Sequence, residues 1–175
     1  MLAERALSFG DFVLSSGERS DFYFNGKQVT LEGRGLYLVS LLVLERCAQW
    51  GVDVLGGLTL GADPIAAGVA ALSGDGERPL RAFIVRKHVK DHGTGTLIEG
   101  PPLRRGDRVM VVDDVISTGA SLLTAVDALA GQPVEIVATL AVVDREQGGR
   151  EAIEARGLHV DALFARSDFA AATTP

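Results

Sequence analysis

Apolar and polar positions alternate along most of the chain in blocks typical of buried strands and amphipathic helices. Apolar runs predict strands over residues 54–58, 80–85, 109–112, 134–143 and 158–164. Helical patterns lie between several of them, over residues 63–72, 120–130 and 148–156. This alternation predicts an α/β fold with a mostly parallel sheet flanked by helices. Ligands of such sheets bind beyond the carboxyl ends of the strands, so we expect the functional residues in the loops after 58, 85, 112 and 143.

The first fifty residues follow a different pattern. Residues 2–9 predict a short helix, and the apolar triplets 12–14 and 22–24 flank a polar stretch, which predicts a small hairpin. Residues 32–50 predict a long helix that stops at Gly51. We therefore expect one domain over 1–175, with a small N-terminal unit mainly in 1–30 and a core over about 31–165.

Composition narrows the range of partners. The 175 residues are 47% hydrophobic and carry a net charge of −6, which argues against a general nucleic-acid or anionic-membrane binder. The longest apolar stretch, near residues 36–44, is too short to span a bilayer. Glu4 and Arg5 occupy positions where a signal peptide needs apolar residues, and the single cysteine, Cys47, fits a reducing compartment. These features predict a cytoplasmic protein with no nucleic-acid or membrane partner.

The segment 109–121 carries the strongest chemical signal. An apolar strand runs into Asp113 and Asp114, and a turn rich in hydroxyl groups, with Gly119, then opens a helix. Hydroxyl groups, a close backbone and the free N–H groups of a helix N-terminus together cradle a phosphate. Carboxylates repel a phosphate, so the acidic pair suits sugar hydroxyls or a divalent cation. The two features together describe a site for a ribose 5-phosphate.

Other phosphate motifs fit less well. A Walker A loop is excluded because Gly26-Lys27 is followed by Gln28. Residues 93–95 lack the third glycine of a dinucleotide fingerprint, and a receiver domain needs a lysine after Lys90 that the chain does not have. The plainer alternative is that the two aspartates cap the helix, although capping needs only one of them.

Residues 111–121 resemble the phosphoribosyl-diphosphate (PRPP) signature of the type I phosphoribosyltransferases. Four further segments are similar to the orotate phosphoribosyltransferases of that family: residues 12–24, 57–64, 86–93 and the pair Asp144-Arg145. The resemblance covers most of residues 8–147. It implies the type I phosphoribosyltransferase fold with an N-terminal hood. It also implies transfer of the 5-phosphoribosyl group from PRPP to orotate, which yields orotidine 5′-monophosphate for UMP biosynthesis.

The resemblance further implies Mg²⁺ carried by PRPP, with no metal site built by the protein. It implies a homodimer in which the loop 86–102 reaches over the neighbour's site. The implied PRPP-binding residues are Arg86, Lys87, Lys90, His92, Asp113, Asp114, Val115, Ile116, Ser117, Thr118, Gly119, Ala120 and Ser121. Lys90, His92, Asp113 and Asp114 are the catalytic candidates.

The residues of the loop 86–102 support this interpretation independently. Two of the chain's three lysines, Lys87 and Lys90, lie here with Arg86 in an otherwise acidic protein. The glycines and the two prolines that follow predict a long loop, which is typical of a lid. A cationic lid suits a diphosphate leaving group, whereas the alternative is an exposed run of charge. His88 and His92 are spaced four residues apart, but the glycines argue against a helical metal site.

Arg145 should emerge at the same sheet edge as Asp113, where its guanidinium could grip a carboxylate such as that of orotate. The alternative is an ordinary surface Arg145–Glu146 element. Ser117, Arg145, Tyr23, Phe24 and Lys27 are the orotate-binding candidates, and the aromatic pair could also be a satellite core. Relatives can carry lysine at the positions of Ser15 or Gly61, so either another cation such as Lys27 supplies that contact or binding is weaker.

Two alternatives remain from the sequence. One is a phosphoribosyltransferase for another base, against which Arg145 argues. The other is a non-catalytic PRPP-sensing regulator, which usually needs an added DNA-binding domain or a basic RNA-binding face.

Overall fold

The computed structural model describes residues 1–13, 19–88 and 96–173, which form a central sheet, flanking helices and a small hairpin. The N-terminal elements are α1 (Leu2–Arg5), β1 (Leu7–Val13), β2 (Arg19–Phe24), α2 (Lys27–Thr30) and α3 (Gly33–Trp50). The core follows with β3 (Val54–Leu58), α4 (Ala62–Ser73), β4 (Arg81–Val85), β5 (Ile98–Glu99), β6 (Arg108–Ile116), α5 (Ala120–Ala128), β7 (Glu135–Asp144), α6 (Gly149–Glu154) and β8 (Val160–Ala165). A 3₁₀ segment over Arg166–Thr173 closes the described chain.

The central sheet confirms the predicted α/β architecture. Its six strands lie in the order β5-β4-β3-β6-β7-β8, and every neighbouring pair is parallel except β4 with β5. Strands β1 and β2 form the separate antiparallel hairpin that the N-terminal pattern predicts. The chain passes from β3 to the far side of β4 and then returns to β6, so strand order reverses beside β3 and β6. A ligand site is expected at such a reversal.

Two hydrophobic clusters hold the layers together. One packs α3 and α4 against the sheet around Val43, Ile65 and Leu140, and the other packs α5 and α6 around Leu122 and Ile153 on the opposite side. Glu32 caps α3 by accepting hydrogen bonds from the amides of Arg34 and Gly35, and Gly51 ends it in the left-handed conformation. Among the described helices, none combines the length and apolar character needed to cross a membrane.

Three sequence predictions about local structure are wrong. The first helix ends at Arg5, because residues 7–13 pair with β2 instead of continuing it. The acidic pair lies inside β6 and not after it, because the strand keeps pairing with β7 as far as Ile116. The segment 86–102 contains the short strand β5, which pairs antiparallel with β4.

His159 immediately precedes β8, and its ring packs on Trp50 at a centroid distance of 4.3 Å.

Candidate active site

Loops from neighbouring strands surround a cavity of about 440 Å³ at the carboxyl edge of the sheet. The loop after β3, the end of β6 and the turn into α5 form its walls, and Lys27 and Lys87 add positive charge. The cavity lies where the strand order reverses. Its lining residues are Lys27, Leu58, Thr59, Leu60, Gly61, Lys87, Asp113, Asp114, Val115 and 117–122.

Asp113 and Asp114 are the buried acidic groups of this cavity, with exposures of 5% and 4%. The amide of Asp114 donates to Oδ1 of Asp113 at 2.8 Å, which fixes the first carboxyl group in the strand. Burial, together with the adjacent charge of Asp114, raises the pKa of Asp113 from 3.8 to about 8. A carboxyl group that lies in a cleft and has a pKa this far above its ordinary value is typical of a functional site.

Lys27 supplies the counter-charge to this pair. Its Nζ lies 2.8 Å from Oδ2 of Asp114, although 87 positions separate the two residues in the sequence. Burial opposes the charged form of Lys27, but the hydrogen bond to Asp114 and the charges of both aspartates raise its pKa above 10.5. Lys27 therefore stays protonated and offsets part of the negative charge in the cavity.

The turn from β6 into α5 has the geometry of a phosphate cradle. Gly119 has a φ of 79°, a backbone conformation that favours glycine, and it directly precedes α5. A Cβ at this position would lie 2.8 Å from the carbonyl oxygen of Gly149, so the backbone is also closely packed. Thr118, Ala120 and Ser121 are exposed beside it, at the positive end of the helix.

The loop after β3 forms the opposite wall. Oγ1 of Thr59 donates to Oδ2 of Asp63 at 2.8 Å, and the Thr59 amide donates to the carbonyl of Val85 at 2.9 Å. These contacts tie the loop to the start of α4 and to β4. Leu60 is 67% exposed, and Gly61 packs directly against the two aspartates.

Basic residues from the end of β4 stand beside this wall. Lys87 is exposed and lines the cavity, and a second cavity of about 460 Å³, which Arg86 also lines, adjoins it through Thr59 and Lys87. Nη1 of Arg86 lies 3.4 Å from Oε1 of Glu99, so β5 holds the arginine in place. The predicted catalytic residues Lys90 and His92 lie outside the described residues, as does Ser15.

Arg145 emerges at the same edge, as the strand pattern predicts. Its amide donates to the carbonyl of Ile116 at 2.8 Å, and its Nη1 lies 3.4 Å from Oγ of Ser117. The residue is only 6% exposed, so it is not the surface element of the alternative interpretation. Loss of hydration lowers the pKa of its guanidinium, which nevertheless stays charged. A guanidinium can bind a carboxylate through two parallel charge-assisted hydrogen bonds.

The hairpin presents its two candidate aromatics differently. Tyr23 is exposed, and its ring packs 5.5 Å from that of Phe12. Phe24 is buried in the main core, so any contact of Phe24 with a base would come from its backbone. The two residues alternate across the strand, which explains why only one of them faces outward.

Several residues of the site escape sequence reasoning. The resemblance marks residues 57–64 as a segment but predicts no role for Thr59 or Asp63, and Gly26 reads as part of a hairpin exit. A Cβ on Gly26 would lie 2.8 Å from Cβ of Asp114, so this glycine allows α2 to reach the acidic pair. The described residues hold no cluster of three or more His, Cys, Asp or Glu side chains that could bind a metal ion.

Comparisons with known proteins agree with this geometry. Residues 42–160 match the phosphoribosyl transferase domain family. The orotate phosphoribosyltransferase of Thermosynechococcus vestitus is 47% identical over 171 residues, covering 98% of this chain and 90% of that protein. The Synechocystis sp. orotate phosphoribosyltransferase is 44% identical over 168 residues, covering 96% and 84%.

Solved structures show the same likeness. Orotate phosphoribosyltransferase of Mycobacterium tuberculosis H37Rv, in complex with Fe(III) dicitrate, superposes with a TM-score of 0.82 at 41% identity, covering 97% of this chain and 94% of that one. The same enzyme in complex with PRPP gives a TM-score of 0.77 at 38% identity, covering 95% and 93%. The similarity thus extends over nearly the whole of both chains.

Proposed function

The chain belongs to the orotate phosphoribosyltransferases of the type I phosphoribosyltransferase family, and we propose how its residues carry out their reaction. The enzyme transfers the 5-phosphoribosyl group of PRPP to orotate in pyrimidine biosynthesis. A ring nitrogen of orotate loses its proton and forms a bond to the anomeric carbon as the bond to diphosphate breaks, which gives orotidine 5′-monophosphate, diphosphate and a released proton. The observation that carries the assignment to residues is the buried acidic pair beside the phosphate cradle, with Arg145 at the same edge.

Residues 115–121 anchor the 5′-phosphate of PRPP. The left-handed Gly119 and the first turn of α5 present backbone N–H groups to one point, and Ser117, Thr118 and Ser121 add hydroxyl donors. This contact is remote from the reacting bond. Its binding energy therefore fixes the ribose in place for the displacement.

Asp113 and Asp114 accept hydrogen bonds from the 2′- and 3′-hydroxyls of the ribose. The displacement places positive charge on the ribose ring, and the negative charge of Asp114 stabilises that charge in a buried cavity. Lys27 holds Asp114 in position through its contact at 2.8 Å. A contact between Lys27 and orotate stays a prediction. The contact that the structure shows for Lys27 is its ion pair with Asp114.

Arg86, Lys87, Lys90 and His92 neutralise the departing diphosphate. The exposed Lys87 between the two adjoining cavities supports this role. Closure of the loop 86–102 would exclude water and so suppress hydrolysis of PRPP. Arg145 and Ser117 bind orotate, and the hairpin covers its ring through Tyr23 and the backbone of Phe24.

The donor set of the cavity fits Mg²⁺ that arrives with PRPP. Asp113 already accepts from an amide, and Asp114 already pairs with Lys27, so neither is arranged as part of a protein cage. Mg²⁺ keeps several waters and prefers phosphate oxygens, and it would supply further charge neutralisation for the diphosphate.

A cytoplasmic location completes this proposal. The chain's one cysteine, Cys47, is buried, and burial raises the pKa of its thiol to about 12. A neutral buried thiol is a core group, and a chain with a single cysteine forms no internal disulfide, which fits a reducing compartment.

The test of the function is consumption of orotate, followed by its absorbance, in the presence of PRPP and Mg²⁺. We expect turnover with orotate and none with uracil, hypoxanthine or adenine, because only orotate offers a carboxylate to Arg145. Turnover of a purine instead would favour the phosphoribosyltransferase for another base. Binding of PRPP with no turnover of any of the four bases would favour the regulator.

A homodimer is the second part of the proposal. Helix α3 exposes Tyr37, Leu38, Leu41 and Leu42 on one face, beside an apolar cavity of about 480 Å³ that Phe164 and Phe169 also line. A contiguous apolar patch of this kind marks an interaction surface. A second copy of the chain is the occupant that the family resemblance implies.

We expect Leu41→Glu to convert the dimer into a monomer, because it places a charge in the middle of this face. Light scattering after size-exclusion chromatography measures the mass. Thr124→Glu is the matched control, since Thr124 is exposed on α5, well away from α3. A shared loop also predicts that the monomer loses activity, and a fully active monomer would contradict the shared site.

A further inference from the structure

Two arginines leave the sheet side by side at the orotate end of the site. Strands β7 and β8 are parallel, and their last register partners are Asp144 and Ala165. Arg145 directly follows β7, and Arg166 directly follows β8 as the first residue of the 3₁₀ segment. Because their preceding residues are register partners, the backbones of the two arginines lie next to each other at this edge of the sheet.

A polar bridge fixes the spacing of the two chain exits. The carboxylate of Glu146 accepts hydrogen bonds from the amide and from Oγ of Ser167, each at 2.9 Å. The amide of Glu146 donates to Oδ1 of Asp144 at 2.8 Å. The residues directly after Arg145 and Arg166 are thus bonded to each other, which keeps the two guanidinium groups on adjacent, connected backbone.

The electrostatics of Arg145 show that the two charges interact. Burial lowers the pKa of Arg145, and the positive charge of Arg166 lowers it further, whereas Tyr23 acts in the opposite direction. Two neighbouring positive charges repel each other in a site with little water. An anion bound beside both charges is attracted by each of them and can accept a hydrogen bond from each guanidinium.

We propose that Arg166 is a specificity-determining residue that, with Arg145, binds the carboxylate of orotate. The inference rests on the proposed function, which supplies a planar carboxylate ligand, and it adds a second cation to the one that the sequence indicates. Ser117 and Tyr23 complete the surroundings, since Ser117 lies against Arg145 and Tyr23 stands on the exposed side of the hairpin. A base without a carboxylate makes neither of these contacts, so the pair selects against it.

The test compares Arg166→Ala with wild type in steady-state kinetics and in calorimetric titration with orotate. We expect KM and Kd for orotate to rise about tenfold, as for the loss of one charge-assisted hydrogen bond, with KM for PRPP unchanged. Arg166→Lys should recover part of the affinity, because it keeps the charge and loses the planar fork. Arg156→Ala is the matched control, since Arg156 is half-exposed and pairs with Asp127 away from the cavity.

The outcomes separate this inference from the function itself. Unchanged orotate affinity in Arg166→Ala, or an equal rise in KM for PRPP, overturns the role of Arg166 while wild-type turnover of orotate still stands. Absence of wild-type turnover defeats the proposed function first. If Arg166→Ala unfolds at a lower temperature, the comparison is made with Arg166→Gln, whose loss of orotate affinity supports the role and whose full affinity overturns it.

Discussion

Asp114→Asn is expected to lower kcat/KM for PRPP by roughly 10²–10³, the range found when one group that stabilises transition-state charge is removed. The substitution keeps the size and shape of the side chain and one oxygen acceptor. It removes the negative charge that faces the ribose, and it leaves the ammonium of Lys27 without the carboxylate that it contacts at 2.8 Å. The positive charge that forms on the ribose then meets an ammonium group that has lost its hydrogen-bonded carboxylate.

Asp113→Asn should have a smaller effect on rate and should raise the stability of the folded protein. In wild type, burial and the neighbouring Asp114 raise the pKa of Asp113 to about 8, so its carboxyl group is largely neutral at pH 7 and resembles an amide. Oδ1 of the new amide still accepts from the amide of residue 114. Loss of charge therefore matters less at this position than at its neighbour.

The sign of the stability effect follows from proton binding. Between pH 3.8 and about 8 the folded protein keeps the proton on Asp113 and the unfolded chain has lost it, so this group makes wild type less stable as pH rises. Above pH 8 both states are ionised and the loss is complete. Asp113→Asn has no such group, so its melting temperature should exceed that of wild type by an amount that grows from about pH 5 to pH 8.

Thermal unfolding and steady-state kinetics on the same preparations test both expectations. Asp127→Asn serves as the control, because Asp127 pairs with Arg156 on the surface and touches no part of the cavity. Equal rate losses for Asp113→Asn and Asp114→Asn would show that the two carboxyl groups act alike on the ribose. A melting temperature for Asp113→Asn that falls below that of wild type at every pH would contradict the argument that burial of the ionised Asp113 destabilises the folded protein.

The sheet and its functional edge follow from the order of apolar runs, because each buried strand needs a continuous apolar segment whatever its neighbours are. The end of β6 does not follow in this way. Asp113 and Asp114 read as the end of a strand, yet the strand continues because backbone hydrogen bonds to β7 do not depend on side-chain polarity. Residues 98–99 also form a strand through backbone hydrogen bonds, because they pair with the edge of β4.

The residues of the candidate site likewise include some that the sequence predicts and others that only the fold brings together. Residues 113–121 are contiguous, so their local chemistry is visible in the sequence, and the position of Arg145 follows from parallel strands ending at one edge. The contact between Lys27 and Asp114 joins distant parts of the chain and depends on how α2 packs, for which local periodicity carries no signal. Arg166 is hidden for a related reason, because only the register of β7 with β8 brings it beside Arg145.

Gly61→Ala is expected to lower kcat/KM for PRPP by about 10²-fold while the protein stays folded, because misplacing reacting groups by about an ångström has that effect. Gly61 has helical φ and ψ angles of −61° and −43°, so alanine is compatible with the backbone. A Cβ there would lie 2.7 Å from Oδ1 of Asp114 and closer still to Oδ1 of Asp113. The methyl group must therefore push the carboxyl groups away from the ribose, and steady-state kinetics with varied PRPP measures the loss.

Gly33→Ala is the matched control for this substitution. Gly33 begins α3, and a Cβ there would have no atom within 4 Å, so alanine should leave activity unchanged and stabilise the helix slightly. Gly61→Lys separates steric from electrostatic effects, because it adds a cation at a position where relatives can carry lysine. If bulk alone decides the outcome, both Gly61 variants lose activity. Full activity of Gly61→Ala would instead mean that the two carboxyl groups move freely, and the close packing around Lys27 and Asp114 would then not be what positions them for the ribose.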